Sequence, residues 1–344
     1  MLSSELLDRI LAALPGKTVG LVGDLFLDRY LDIDAARNEP SVETGLTAYQ
    51  VTGVRSYPGA LGTVLANLAA LGVGRIVPVS VIGDDGEGYE LTQALAKLPA
   101  VDASHLIRSA DRRTPTYTKP MLHEGGSVRE LNRLDIKNRT PTAADLQARI
   151  IAKLDLLWPS FDALLVLDQV SEIDCGVVTA EVRGWIGERA QASPGLFVLA
   201  DSREQIGKFR NVCVKPNLAE AERWVPGADA AALANLVNGP VFLTRSEAGI
   251  LLAKPGGEVQ AVPAYPVAGP IDPCGAGDSC SAAIACAMAS GTTLEEAAAF
   301  GNLIASITVQ QIGVTGTASP DMARRRWEEV SNSPQSHRGH RDEN

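Results

Sequence analysis

Basic residues are few in this 344-residue sequence, which has 31 Lys and Arg against 41 Asp and Glu and a net charge of −10. Surfaces that bind nucleic acid need clustered Lys and Arg, so the composition argues against a nucleic-acid partner. A run of about 18 consecutive apolar residues is also missing, which argues against a membrane-spanning helix. Residues 1–17 place apolar residues at helical spacing among acidic ones, which indicates an amphipathic helix rather than a signal peptide. We therefore expect a cytoplasmic protein with no nucleic-acid and no membrane partner.

Cysteine is scarce: five are present without paired spacing, which is typical of a reducing compartment and not of a disulfide framework. Cys274, Cys280 and Cys286 are spaced so that they do not share one helix face, and we interpret them as packing residues rather than metal ligands. Two phosphate-binding patterns are absent as well. The chain has no Gly-x-x-x-x-Gly-Lys-Ser/Thr, which excludes a P-loop kinase, and no Gly-x-Gly-x-x-Gly after its first predicted strand, which would indicate a dinucleotide fold.

Short apolar runs alternate with helical patterns along most of the chain. This order builds a parallel sheet that helices cover on both faces. Runs such as 18–22, 163–167 and 241–244 predict buried strands, and the small residues of 278–290 predict a buried helix. The expected fold class is therefore α/β, with a mainly parallel central sheet in one domain over 1–330.

Two polar segments interrupt this order, 33–57 and 117–135, and read as alternating strands with turn residues such as Gly125-Gly126. We expect them to form a small β sheet that closes over substrate as a lid. Residues 331–344 have nothing to bury, so we predict disorder there and no catalytic role for its histidines.

The most informative motif is Asp272-Pro-Cys-Gly-Ala-Gly-Asp278, which opens the run of small residues. Glycines at 275 and 277 let the backbone turn tightly and present N–H groups to an anion, and the positive end of the following helix dipole favours phosphate there. Asp278 would stand beside that anion as a base. The structural alternative is an aspartate that caps a helix after a turn.

This motif resembles the C-terminal signature of the ribokinase-like (PfkB) carbohydrate kinases, and other segments agree with that family in order over residues 18–320. Residues 22–30 are similar to its first strand and the sugar-contacting aspartate that follows, and residues 58–72 to its glycine-rich sugar-binding segment. Residues 215–220 and 244–249 resemble its nucleotide-side segments. The resemblance implies a ribokinase-like three-layer α/β/α domain with a small β lid, which phosphorylates a sugar hydroxyl with ATP.

Carried over position by position, the resemblance implies three groups of site residues. The catalytic group, in which backbone N–H groups stabilise the phosphoryl charge and an aspartate takes the proton, is Gly275, Ala276, Gly277 and Asp278. The sugar-side group is Asp24, Asp28, Gly59, Thr63, Asn67 and Arg133. The nucleotide-side group is Asn217, Glu220, Thr244, Arg245, Gly249 and Asn302, with Glu220 also near the metal. The implied cofactors are ATP and Mg²⁺, and the family adds activation by a monovalent cation.

Several of these residues have a structural alternative. Asp24 and Asp28 could close the turn after a strand, and Asn67 could cap neighbouring backbone. Asn302 could be a satisfied core asparagine. Asp272 could stiffen the anion loop.

Within the family, the chain is most similar to heptose 7-phosphate kinases, on its Gly-Asp-x-x-Leu-Asp-Arg-Tyr opening, the Arg-Leu-Asp of 133–135 and a Thr-Arg-Ser-Glu-x-Gly. Three departures concern the substrate. Thr63 replaces an asparagine, which removes an amide directed at sugar hydroxyls. Residues 168–172 read Asp-Gln-Val-Ser-Glu where those kinases have Asp-Tyr-x-Lys-Gly, so a lysine able to neutralise phosphate is missing. Residues 201–203 read Asp-Ser-Arg instead of Asp-Pro-Lys, so Arg203 could compensate.

Two other classes of function stay open. A degenerate member that binds a sugar or nucleotide without turnover, as a sensor, would fit Thr63 and the missing lysine, although Asp278 and its glycines are retained. A kinase for another small molecule, such as fructose phosphate or a nucleoside, would carry the same catalytic loop. The expected partners are a small-molecule sugar or sugar phosphate and a second copy of the chain, because a homodimer would cover exposed lid strands.

Overall fold

The structure is a computed structural model and describes residues 2–332. Its strands are β1 (Thr18–Gly23), β2 (Leu25–Asp34), β3 (Glu39–Pro40), β4 (Thr47–Ala48), β5 (Val51–Ala60), β6 (Arg75–Val79), β7 (Val81–Gly83), β8 (Ile107–Ser109), β9 (Thr116–Glu124), β10 (Ser127–Glu130), β11 (Leu134–Ile136), β12 (Ala163–Asp168), β13 (Phe197–Ser202), β14 (Cys213–Val214), β15 (Val241–Thr244), β16 (Ile250–Ala253) and β17 (Val259–Val262). Its α-helices are α1 (Ser4–Ala13), α2 (Leu61–Leu71), α3 (Gly86–Leu95), α4 (Ala144–Leu157), α5 (Ala180–Ala192), α6 (Leu218–Glu222), α7 (Ala230–Val237), α8 (Ala276–Ala289), α9 (Leu294–Thr308) and α10 (Pro320–Ser331). The predicted disordered segment, 331–344, lies outside the described residues except for its first two positions, and so do His337 and His340. Within residues 2–332, no helix has both the length and the hydropathy needed to cross a bilayer.

An eight-stranded sheet forms the centre, in the order β17-β16-β15-β14-β13-β12-β1-β6. The strands from β15 to β6 in this order run parallel, whereas β16 pairs antiparallel with both β15 and β17. The parallel strands are buried on both faces, with Leu21 and Leu165 in one core cluster and Val22 and Val166 in the other. Burial on both sides is the reason these runs are apolar without alternation. The predicted α/β class with a mainly parallel sheet is confirmed.

Helices cover both faces of this sheet. On one face, α8 packs against α2, α9 and the strands β12 and β13, while α10 packs against α9 and α1. On the other face, α4, α5 and α7 bury Ile150, Ile186 and Leu233. Small residues explain the central place of α8: a Cβ on Gly301 of α9 would lie 3.1 Å from the Cys280 sulfur, so a larger residue would push the two helices apart.

A second sheet contains β10, β9, β2 and β5 in that order, with β11 beside β9. It begins at Leu25, one residue after β1, so Asp24 is the junction of the two sheets. The predicted lid segments, 33–57 and 117–135, do not include the first part of β2. The first residues of β2 are apolar and buried, so in the sequence they look like a continuation of β1. One face of this sheet contacts α3. Closure of the second sheet over a substrate stays a prediction.

Two further differences from the predicted elements have local causes. The apolar run 76–81, which predicts a single strand in the sequence, divides into β6 and β7 at Ser80, whose hydroxyl donates to the carbonyl of Gly23 at 2.7 Å. No pattern noted above predicts α10. Its signal is nevertheless present, because Ser319 caps the helix and Pro320 occupies its first turn.

Candidate functional site

Polar residues gather where three neighbouring strands of the large sheet end. Asp201 lies near the end of β13, Lys215 directly follows β14, and Thr244 ends β15. The first part of α8 lies over this edge, since its Ser281 hydroxyl donates to Asp201 Oδ2 at 3.1 Å. Open α/β sheets bind ligands at the carboxyl ends of their parallel strands. The fold therefore places the predicted catalytic loop where a ligand is expected.

The loop before α8 is held by Asp272 and Gly275. Asp272 accepts the backbone amides of Cys274 and Gly313, each at 3.0 Å, so it stiffens the anion loop. Gly275 has a φ of +78°, and a Cβ there would lie 2.4 Å from the Thr315 side chain. Glycine is required on both counts. The protein's own contacts therefore determine the path of this loop.

The helix α8 begins at Ala276, before the predicted start at Asp278, because the left-handed Gly275 precedes it as its N-cap. The predicted anion-binding amides are therefore first-turn amides, which have no acceptor within the helix. One of them is engaged, since the amide of Ala276 donates to the carbonyl of Pro273 at 3.1 Å. The amides of Gly277 and Asp278 follow at the positive end of the helix dipole, where an anion is favoured.

Asp278 is half-buried in this first turn. Loss of hydration and, to a smaller extent, the neighbouring Asp201 carboxylate raise the pKa of Asp278 to about 7. Lys215 and Arg203 lower that pKa and partly offset the increase. A carboxylate with this pKa exchanges its proton near neutral pH, which is the range in which a general base is most effective.

Lys215 is the residue that the sequence reasoning left without a role. Its Nζ lies 2.9 Å from Asp201 Oδ2, and its side chain is buried. Burial alone would lower the pKa of Lys215, but Asp201 raises it above the ordinary lysine value, so the ammonium stays charged. The signal available was a lysine directly after a buried strand. Its contact with Asp201, from a neighbouring strand, could not be read from the sequence.

The two polar residues of the predicted Asn-x-x-Glu segment bind each other's backbone. Asn217 Oδ1 accepts the amide of Glu220 at 2.9 Å, and Glu220 Oε2 accepts the amide of Asn217 at 2.8 Å. This is a capping box for α6. Burial and the Asp201 carboxylate raise the pKa of Glu220. Glu220 Oε1 takes no part in the box.

A magnesium ion fits this region as a partner of nucleotide phosphates. Among residues 2–332, no cluster of three or more His, Cys, Asp or Glu side chains could enclose a metal ion. Protein-bound Mg²⁺ commonly keeps several waters and uses one or two carboxylates plus substrate phosphates. Asp201 and Glu220 are two such carboxylates, and both act on the pKa of Asp278. The donor set therefore suits an ion that arrives with a nucleotide.

The predicted nucleotide-side residues at and after the end of β15 stabilise the loop that follows this strand, and one hydrogen-bond donor of Arg245 has no acceptor among the described residues. The Thr244 hydroxyl donates to the carbonyl of Pro216 at 3.2 Å. Gly249 has a φ of +79°, and a Cβ there would lie 2.3 Å from the carbonyl oxygen of Val262, so only glycine fits. The buried Nε of Arg245 has no acceptor in the described part of the chain. An unsatisfied guanidinium N–H suits an anionic ligand such as a phosphate.

Asn302 of α9 is used inside the protein. Its amide nitrogen donates to the carbonyls of Val262 and Pro263, each at 3.0 Å, and the side chain is buried. This arrangement matches the structural alternative of a satisfied core asparagine. A contact between Asn302 and adenine stays a prediction, with only the side-chain oxygen left to make it.

Asp24 is occupied by backbone amides. Its Oδ2 accepts the amides of Gln169 at 3.0 Å and Val170 at 3.3 Å, and its Oδ1 accepts the amide of Val177 at 2.7 Å. Burial raises the pKa of Asp24 in spite of these bonds. The Asp24 carboxylate thus links the junction of the two sheets to residues 169–177 through hydrogen bonds. Sugar binding by Asp24 stays a prediction.

Asp28 is the more accessible of the two predicted sugar-side carboxylates. It lies within β2 rather than in a turn, and its Oδ1 is 3.5 Å from Lys119 Nζ. A Cβ on Gly59 would lie 2.7 Å from Asp28 Oδ2, so the glycine lets the carboxylate approach β5. The structure therefore brings Asp28 and Gly59 together.

The remaining sugar-side residues have local partners. Asn67 is fully buried in α2, and its amide nitrogen donates to the carbonyl of Thr63 at 3.0 Å. This bond matches the structural alternative, in which Asn67 caps neighbouring backbone. Thr63 is buried as well. Arg133 pairs with Asp135 through two bonds of 2.7 and 2.9 Å, and its guanidinium lies 4.5 Å from the centre of the Tyr117 ring. Their contacts with a sugar stay predictions.

A cavity lies between the second sheet and the carboxyl edge of the large sheet. Its walls include Phe26 and Tyr117 of the second sheet and Gln169 and Arg203 from loops of the large sheet. The two aromatic rings meet edge to face, 5.3 Å apart. Arg203 bonds Gln169 at 2.8 Å and lies near enough to Asp278 to lower its pKa. The cavity is therefore close to the catalytic loop.

Comparison with known proteins agrees with this geometry. The family described as pfkB family carbohydrate kinase matches residues 189–322, which include the loop before α8 and both nucleotide-side segments. Bifunctional protein HldE of Trichlorobacter lovleyi is 32% identical over 313 residues, which cover 87% of this chain and 60% of that protein. Bifunctional protein HldE of Bradyrhizobium sp. is 30% identical over 336 residues, which cover 92% and 65%. The chain thus spans less than two thirds of the length of these curated relatives.

Solved structures share the fold at low identity. Arabidopsis thaliana ribokinase complexed with ribose and ATP has a TM-score of 0.62 and 18% identity, over 90% of this chain and 98% of that one. Phosphofructokinase-2 from Escherichia coli in complex with fructose-6-phosphate has a TM-score of 0.67 and 18% identity, over 92% and 99%. The ribokinase-like fold is therefore confirmed. Residues 189–322, which contain the catalytic loop, are thus similar to the pfkB family of carbohydrate kinases, and the curated relatives are similar along most of the chain.

Proposed function

We propose that this protein transfers the γ-phosphoryl group of ATP to a hydroxyl of a sugar or sugar phosphate. The observation that carries the proposal is the position of Asp278 in the first turn of α8, beside the Asp201–Lys215 pair and with its pKa raised to about 7. The pfkB family match over residues 189–322 supports the same class of reaction.

Phosphoryl transfer leaves the protein little covalent chemistry, so catalysis consists of positioning and stabilisation of charge. The amides of Gly277 and Asp278, at the positive end of α8, would hold oxygens of the γ-phosphoryl group. Asp278 would take the proton of the acceptor hydroxyl as its oxygen bonds to phosphorus, while the bond from phosphorus to ADP breaks. Gly275 would keep the loop in the conformation that presents these amides.

The nucleotide would lie along the ends of β14 and β15, where Asn217, Thr244 and Arg245 stand. Arg245 Nε, which lacks an acceptor among the described residues, would donate to a phosphate oxygen. Bound Mg²⁺ would neutralise phosphate charge, with Glu220 as its protein carboxylate. Activation by a monovalent cation stays a prediction from the resemblance.

Heptose 7-phosphate is the acceptor that we propose first. Residues 22–30 and 244–249 resemble the heptose 7-phosphate kinases, and the curated relatives carry the name Bifunctional protein HldE. Asp28 would bind sugar hydroxyls through charge-assisted hydrogen bonds. Fructose phosphate and nucleosides are the alternatives within the same reaction class.

The test is ADP release with Mg-ATP over heptose 7-phosphate, hexose phosphates, free sugars and nucleosides. We expect Asp278→Asn to keep ATP binding and to lower kcat by about 10²–10⁴-fold, because it removes the base and little volume. Asp321→Asn, an exposed aspartate in the first turn of α10, is the matched control and should leave turnover unchanged. Full turnover by Asp278→Asn would remove Asp278 from the mechanism.

The sensor function is the second candidate. The observation that favours it is that residues 168–172 lack the expected lysine, and that two amides in this segment hold Asp24. If the wild-type chain binds ATP or a sugar and phosphorylates no acceptor, the sensor replaces the kinase.

A further inference from the structure

Lys215 is a buried cation with donors to spare. Its side chain is 4% exposed. An ammonium group has three N–H donors, and in the described part of the chain its ion-pair partner is Asp201 Oδ2, at 2.9 Å. Buried charges are normally paired and fully hydrogen-bonded. The remaining donors of Lys215 therefore leave it able to bind a further partner.

Gly277 lies beside this ammonium for a reason other than backbone conformation. Its φ is outside the left-handed region, unlike that of Gly275. It lies within α8, where alanine is the better helix former. Among the described residues, and apart from its chain neighbours and the adjacent backbone of α8, the one atom within 4 Å of a Cβ built on Gly277 is Lys215 Nζ, at 3.7 Å. The absent side chain therefore leaves a gap between the anion loop and the Lys215 ammonium.

The charges around this gap explain why a cation is needed there. The carboxylates of Asp201 and Glu220 both act on the pKa of Asp278, so three acidic groups lie close together. They would repel a phosphoryl group with its own negative charges. Lys215 is the buried cation in this cluster, whereas Arg203 is exposed.

We propose that Lys215 is a catalytic residue, whose ammonium reaches through the gap at Gly277 and binds the transferring phosphoryl group while Asp201 holds it in place. The inference rests on the proposed kinase function. It gives Lys215 the charge-neutralising role of the lysine missing from 168–172. Because the contact is to the γ-phosphoryl group, Lys215 distinguishes ATP from ADP.

Nucleotide affinity tests this contact without any acceptor. With Mg²⁺ present, titration calorimetry should show that Lys215→Met raises the Kd for ATP by about tenfold or more and changes the Kd for ADP by less than about threefold. With an acceptor, kcat should fall by about 10²–10³-fold, as when one donor to a developing charge is removed. The control is Lys254→Met, which removes an exposed pair with Glu295 and should change neither quantity.

Two further variants cover the case in which Lys215→Met alone does not fold. Asp201→Asn/Lys215→Met leaves no unpaired buried charge, and its Kd for ATP, but not for ADP, should rise relative to Asp201→Asn. Gly277→Ala keeps the ion pair and should retain stability, yet its methyl group fills the gap, so kcat should fall. If both residues serve one contact, Gly277→Ala/Lys215→Met should be no slower than Lys215→Met alone.

The outcomes separate this inference from the kinase function. If a folded Lys215→Met variant keeps the preference for ATP over ADP, or Gly277→Ala is fully active, the role of Lys215 is refuted while the kinase function stands. If the wild-type chain binds no ATP, both are refuted. A selective loss of ATP affinity and of kcat, with Lys254→Met unchanged, supports the inference.

Discussion

The environment of Asp278 decides the pH at which a hydroxyl can be activated. An aspartate in water has a pKa of about 3.9 and is a weak base at neutral pH. Here loss of hydration and the Asp201 carboxylate raise the pKa of Asp278 to about 7. Burial of the Asp278 carboxylate thus makes it a stronger base. Lys215 lowers the pKa of Asp278 and so limits this increase.

The pH dependence of turnover follows from this pKa. Because Asp278 must be ionised to accept a proton, kcat should be low in acid and rise with an apparent pKa of about 7. The measurement is kcat at saturating substrates from about pH 5 to pH 9. If kcat is still at its maximum at pH 5, Asp278 titrates near the ordinary aspartate pKa of about 3.9. This result would contradict a raised pKa of Asp278.

At the scale of elements, one side chain connects three of them. Asp24 stands between β1 and β2, and its carboxylate accepts three amides from the segment after β12. Asp28, a few residues further along β2, has Lys119 as its charged partner and keeps part of its surface open. Both aspartates were predicted to bind the sugar. We infer that Asp24 has a structural role and that Asp28 faces the ligand.

A pair of substitutions tests this separation. Asp24→Ala leaves buried amides without an acceptor, so the free energy of unfolding should fall by about 1–3 kcal/mol. Asp28→Ala removes a partly exposed ion pair and should lower it by about 1 kcal/mol or less, while acceptor KM rises. Urea denaturation and acceptor kinetics on both variants provide the check. Equal stability losses in the two variants would count against the assignment.

Elements with a uniform environment were predictable from the sequence. The apolar run 241–244 is observed as β15 with the same bounds, and the small-residue helix α8 begins two residues before its predicted start and ends one residue before its predicted end. β2 was missed because a single residue separates it from β1, and no turn residue marks the change of sheet. The Lys215–Asp201 pair was missed because its two residues follow or lie in different strands. Local sequence patterns predict strands but not the order of strands in a sheet, so this contact could not be predicted.

At the scale of the whole molecule, the second sheet has an open edge. β5 pairs with β2 on one side, and it ends the order of that sheet. Its Val51, Val54 and Tyr57 are about half exposed, at 46%, 53% and 50%. Edge strands with unpaired N–H and C=O groups favour pairing with another chain. We therefore expect β5 to be the homodimer contact predicted from the sequence.

Light scattering over a range of protein concentrations tests this dimer. The net charge of −10 opposes association, so the measurement belongs at about 0.15 M salt, where charges are screened beyond about 8 Å. Val54→Lys places a charge on the β5 edge and should give a monomer. Val259→Lys does the same on β17, the edge of the large sheet, where the residue is 45% exposed, and should stay dimeric. A wild-type monomer at every concentration rules out the dimer. A dimeric Val54→Lys places the contact elsewhere, because two copies of β5 paired edge to edge would bring like charges close together.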